Sequence, residues 1–142
     1  MIVAVVDKTG RAVRNQHVVL GALGLGELAR ALERVASHDI AEAICAAKPF
    51  CSWLGPSGED WVGRVEKGGV ELRLVRHRNG KWTALLTLPF EYTEGVEYVL
   101  GAVHDLALEV EGLRREARWL RERLVELERR LAGLESAREG EE

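Results

Sequence analysis

Along the C-terminal third of the chain, apolar residues recur at alternating spacings of three and four. Taken as a heptad from Val96, the a positions read Val96, Val103, Val110, Ala117, Leu124 and Leu131, and the d positions Val99, Leu106, Leu113, Leu120, Leu127 and Leu134. A stripe held to one side of a helix for close to six heptads predicts a coiled coil. Valine at a with leucine at d favours two parallel strands, because each side-chain shape suits the hole it enters. The flanking charges agree: Glu109 faces Arg114 of a partner, Glu116 faces Arg121, Arg123 faces Glu128 and Arg130 faces Glu135. Such exposed pairs contribute only roughly 0.3–0.5 kcal/mol each, so their use lies in choosing register and orientation. The pattern therefore predicts a homodimer. No Asn occupies an a position, which leaves a tetramer open. Trp119 falls at c, away from the seam, either as a second packing surface or lying against neighbouring Arg stems.

Before this helix the periods are mixed. Residues 2–6 read as a strand and 7–10 as a turn. Residues 13–20 read as a second strand, with a helical start as the alternative. Residues 25–48 carry Leu28, Leu32, Val35, Ile40, Ala43 and Ile44 at helical spacing, broken at 37–39, where Asp39 and Glu42 resemble a capping box, and stopped by Pro49. Residues 51–56 read as a loop bearing Trp53. Three strands follow, at 60–66, 70–78 and 81–88, with Lys67-Gly68-Gly69 as one turn and Asn79-Gly80 as a tight two-residue turn. The expected architecture is α+β: an antiparallel sheet with helices in a head spanning 1–92, a coiled-coil helix over 93–138, and an acidic disordered tail at 139–142.

Composition narrows this further. With 46% hydrophobic and 30% charged residues the chain is globular rather than disordered. No apolar run approaches the length of a membrane span, and the first residues lack the basic flank of a signal peptide, so a cytoplasmic protein is expected. Asn15, Gln16 and Asn79 are the only side-chain amides. Few amides beside many Arg and Glu fit a thermophile, or equally a GC-rich genome. The net charge of −3 hides a split: residues 1–93 hold 12 basic and 10 acidic side chains, residues 94–142 hold 8 and 13.

The basic residues of the head interleave with its rings. Trp61, Arg64, Lys67, Arg73, Arg76, His77, Arg78, Lys81 and Trp82 fall within 22 residues, with Trp53 shortly before them. Single-strand binders combine such parts, cations tracking phosphates while flat rings stack on bases. The plainer reading is that tip charges serve solvation and the tryptophans fill core. A turn closed at Asn79-Gly80 would set Arg78 beside Lys81, His77 beside Trp82 and Arg76 beside Thr83. Gly21-Ala22-Leu23-Gly24-Leu25-Gly26 has the wrong glycine order for a dinucleotide loop and reads as a connector. Cys45 and Cys51 are too few for a disulfide scaffold, and with His38 they make at most a partial metal site. Ser37-His38-Asp39 is no triad, since adjacent residues do not converge on one another. No enzyme and no cofactor are expected.

A small head rich in Trp and Arg, followed by a leucine zipper, resembles the ThermoDBP family of archaeal single-stranded DNA-binding proteins. The likeness rests on the heptads from Val96 to Leu134 and on residues 61–82, and covers the chain by architecture, with no short diagnostic motif. It implies a cleft with apolar and basic walls in the head, binding single-stranded DNA, with subunits joined by the zipper; the residues themselves leave RNA open as the partner. The competing expectation is a structural or adaptor head-plus-coil dimer that makes protein contacts, or a viral regulator of a host enzyme.

Overall fold

The computed structural model describes residues 1–140. These fall into two compact units, Met1–His104 and the stretch of helix from Asp105 on. The first unit contains strands β1 (Ile2–Val6), β2 (Cys51–Ser57), β3 (Asp60–Val65), β4 (Glu71–Arg76) and β5 (Trp82–Thr87). They form one sheet in the order β1-β5-β4-β3-β2. Strands β2 to β5 make an antiparallel meander, and β1 joins β5 in parallel. Helices α1 (Gln16–Ala22), α2 (Gly26–Glu33) and α3 (Ile40–Ala47) occupy the connection from β1 to β2, so the head is α+β.

Alternation along the strands decides which face is covered. Val3 and Val5 of β1, Leu72 and Leu74 of β4, and Ala84 and Leu86 of β5 are buried in one cluster with Val19, Leu28, Leu32 and Ala43 of the helices. Burying each such leucine contributes roughly 1.5–3 kcal/mol. Residues of the other face, Ala4, Val75 and Leu85, are only half-buried, and Ile2 is 72% exposed. The helices thus cover a single face. The break predicted near Asp39 is real: its carboxylate accepts from the amide of Glu42 at 3.0 Å and starts α3.

Two predicted elements are corrected. Residues 13–20 do not form a strand, although Val13, Val18 and Val19 favour one. Asn15 adopts φ 52° and its carbonyl accepts from the amides of Val18 and Val19, which opens α1 instead. The carboxamide of Gln16 then lies along the outer edge of β1. Its Nε2 donates to the carbonyl of Val3 at 2.8 Å, and its Oε1 accepts from the amide of Val5 at 3.2 Å. Those bonds occupy an edge that would otherwise invite another chain. Residues 51–56, expected as a loop, lie in β2. Pro56 has no amide to give, which an edge strand tolerates. Gly55, at φ 111°, marks the bulge where the register shifts.

The long helix begins where its pattern begins. The hydroxyl of Thr93 accepts from the amide of Val96 at 3.3 Å, and α4 (Glu94–Gly140) runs on for 47 residues. Of the tail expected at 139–142, residues 139 and 140 are helical, and 141 and 142 lie outside the described residues. Within the first unit Leu100 is buried, and the His104 ring sits so close to Gly21 that a Cβ there would meet it at 2.8 Å. In the second unit, Leu106, Val110, Leu113, Leu120, Leu124, Leu127, Leu131 and Leu134 are exposed, as are Val99 and Val103 before them. Ala117 of the seam is exposed too. The arginine at position 123 lies 5.9 Å over the Trp119 ring, one of the two roles predicted for that tryptophan. Among the described residues no helix is long and apolar enough to cross a membrane.

Candidate nucleic-acid interface

The β4–β5 hairpin closes differently from its prediction. The type I′ two-residue turn that Asn-Gly suits needs positive φ at both central residues, and only Gly80 has it, at 81°. The amide of Gly80 donates to the carbonyl of His77 at 3.0 Å, and the amide of His77 to the carbonyl of Lys81 at 2.8 Å. This is a three-residue loop, Arg78-Asn79-Gly80, with glycine at the left-handed position. Asn79 steadies it by accepting from the amide of Lys81 at 3.0 Å. The register therefore slips by one: Trp82 pairs with Arg76, and Thr83 with Val75. A one-residue slip changes which side chains share a face. Here it puts Trp82 beside Arg76 on the helix-bearing face. His77 instead bonds Thr83, ring Nε2 to Oγ1 at 2.6 Å.

Against this tip stands the connector between α2 and α3. The amide of Trp82 donates to the carbonyl of Ser37 at 2.6 Å, and beside that bond lies a cleft of about 570 Å3. That volume is typical of sites for small molecules, roughly 300–1,000 Å3. Its walls are Met1, Ile2, Val35, Ala36, Ser37, His77, Asn79, Lys81, Trp82 and Thr83. None is acidic. Trp82 is half-buried and packs against the core, while Arg76, Arg78 and Lys81 are exposed. Nothing in residues 35–37 signals a cleft in the sequence; the apolar-polar break there reads only as the end of a helix.

The other candidate residues separate into two groups. Trp61 pairs with Leu74 and so lies on the helix-bearing face, diagonal to Arg76. On such diagonals residues stand about 7–8 Å apart, so Trp61, Arg76 and Trp82 alternate ring, cation and ring along the tip end of the sheet. Trp53 is less free. It pairs with Gly63, whose missing side chain makes room for the indole, and it meets the edge of Trp61 at a 6.5 Å centroid distance. The Nε1 of Trp53 is buried without a hydrogen-bond partner. Arg64 and Arg73 pair with Glu71 and Val62, which puts them on the opposite face. Arg73 is held there by Asp60 at 3.7 Å and Glu71 at 3.4 Å.

Two further groups have structural explanations. Asp7 is fully buried. Its carboxylate accepts from the Thr9 hydroxyl at 2.6 Å and from the amides of Thr9, Arg11 and Tyr92 at 2.9–3.1 Å. The Thr9 hydroxyl first, then the Tyr92 and other amides, hold the carboxyl down at about 2 against the opposing effect of burial. It joins the β1 turn to the segment entering α4. Cys45 and Cys51 are both free thiols. Burial, with Glu66 nearby, pushes the Cys51 thiol up to about 11, and it donates to the carbonyl of Ala47. Among the described residues no three His, Cys, Asp or Glu side chains gather to hold a metal. No family model, curated protein or solved structure matches the chain.

Proposed function

We propose that the head binds single-stranded nucleic acid with little sequence preference, and that α4 pairs in parallel with α4 of a second copy so that two heads act on one strand. The observation carrying the reading is the cleft at the hairpin tip, lined by half-buried Trp82 and by Lys81, with exposed Arg76 paired to Trp82 across the hairpin and exposed Arg78 in its loop. A base stacked on an indole contributes roughly 1–3 kcal/mol whatever its identity, and phosphates answer the cations. The resemblance to the ThermoDBP family points the same way. Pairing of α4 is supported by its row of exposed leucines and valines, since an uncovered apolar stripe of that length marks an interface. Two linked heads hold a long strand more tightly than one through effective concentration.

The test is a titration of labelled oligothymidine followed by anisotropy. Binding that mixed sequence competes for equally well, and that weakens steeply with salt through counterion release, is expected. Preference for duplex, or no binding at low salt, contradicts the reading. The half-exposed sheet face, with Ile2, Val75 and Leu85, favours a second reading, an adaptor that binds another protein there. That reading expects substitutions at Leu85, not at the tip, to abolish the activity.

A further inference from the structure

The seam of α4 does not stop where the helix meets the head. A groove of about 510 Å3 lies at its start, lined by Phe90, Thr93, Gly95, Val96, Val99 and Leu100. Every one of these belongs to the first compact unit. In a parallel coiled coil each a side chain enters a hole made by four residues of the facing helix. For Val96 of a partner those are the preceding d and g residues, then a and the next d: positions 92, 95, 96 and 99. Three of the four line the groove. The fourth, Tyr92, precedes the helix, and its hydroxyl donates to the carbonyl of Arg14 at 3.2 Å. Phe90, two residues before it, lines the groove instead. Gly95 leaves the wall open, since a Cβ there would meet nothing closer than the Thr93 hydroxyl at 3.8 Å.

From this geometry we infer that the Phe90 groove receives Val96 of a second copy of this chain, so that the head forms part of the first layer of the zipper. The inference rests on the pairing of α4 proposed above. It commits to a second copy because the groove continues the a and d rows, and a helix carrying the same rows fills it in register. The consequence is that Phe90 is buried between subunits, although nothing in the heptad pattern includes it.

The chain contains two phenylalanines, Phe50 and Phe90, both half-buried in the single chain. Hydroxyl-radical footprinting with mass spectrometry reads both in one experiment. The full-length protein is compared with its Leu113→Asp/Leu120→Asp variant, whose changes lie outside the head. With the variant monomeric by light scattering, oxidation of Phe90 is expected to rise several-fold and that of Phe50 to stay unchanged. A monomer with unchanged Phe90 oxidation, or with equal rises at Phe90 and Phe50, overturns the inference and leaves the zipper standing. A variant of undiminished mass overturns the zipper, and the inference with it.

Discussion

The backbone amide of Trp82 donates to the carbonyl of Ser37 across 2.6 Å, tying the basic hairpin to the connector between α2 and α3. Trp82 lines the cleft beside that bond and, half-buried, also packs against the core. Trp82→Leu is therefore expected to do two separable things. Loss of the stacking face should weaken oligonucleotide binding by roughly 1–3 kcal/mol with no change in salt dependence. Loss of packing should cost about 1–2 kcal/mol of stability in urea unfolding. A binding loss that only tracks the unfolded fraction would assign the ring to the core alone.

Gly63 gives a control on Trp53, which is not among the residues lining the cleft. A Cβ at this position meets Trp53 Cε3 at 3.1 Å and the carbonyl of Ser52 at 3.3 Å, between two hydrogen-bonded strands. Gly63→Ala is expected to destabilise by roughly 1–3 kcal/mol through overpacking. Oligonucleotide affinity, measured where the variant is folded, should be that of the parent. Reduced affinity in a folded variant would bring Trp53 into the binding surface.

The carboxyl of Asp7 sets an expectation for pH. Its native value, about 2, lies below the ordinary 3.8. A carboxyl lowered on folding contributes stability that is complete above its unfolded value and is lost as pH falls through the native one. Urea midpoints of the parent should therefore decline as pH falls from about 4 towards 2. Asp7→Asn should be less stable at neutral pH and show a smaller decline. Parallel curves for the two proteins would show that Asp7 does not set the acid limb.

How much of this is legible in the sequence differs by element. The seam of α4 can be read residue by residue, because a period sustained from Val96 to Leu134 is a local property that no packing partner has to supply. The helix break at Asp39 is legible for the same reason: its capping bond spans three residues. What the sequence hides depends on long-range partners. Val13, Val18 and Val19 look like strand, but only the amide of Val13 bonds the edge of β1, donating to the carbonyl of Val5, and the Gln16 side chain takes over from there. Gly55 and Pro56 look like loop, but an edge strand with a bulge accommodates both. The tip reads correctly as basic and ring-bearing, yet its expected pairing is off by one, since Asn-Gly also suits a three-residue loop with only the glycine left-handed. That slip decides that Arg76, not His77, stands beside Trp82. It is also beyond the sequence that Arg64 and Arg73 lie on the sheet face opposite the helices, and that residues 35–37 line the cleft.

Self-association has its own test. Leu113 and Leu120 are exposed in the single chain. In the proposed pair they sit at d, between helices, where a carboxylate would be stripped of water. Leu113→Asp with Leu120→Asp is expected to halve the mass seen by light scattering and to leave the head folded by circular dichroism. An unchanged mass contradicts the zipper.

The proposed function stands on the cationic tip, and replacing Arg76, Arg78 and Lys81 together by alanine removes it. All three side chains are exposed, so the melting temperature should barely move. Titrations of labelled oligothymidine over a range of salt concentrations, for parent and variant, give affinity and salt slope together. Weaker binding is expected for all sequences alike, with the slope reduced by about one for each phosphate that no longer meets a cation. A folded variant that binds oligonucleotides as tightly as the parent, with the same slope, contradicts the proposed function.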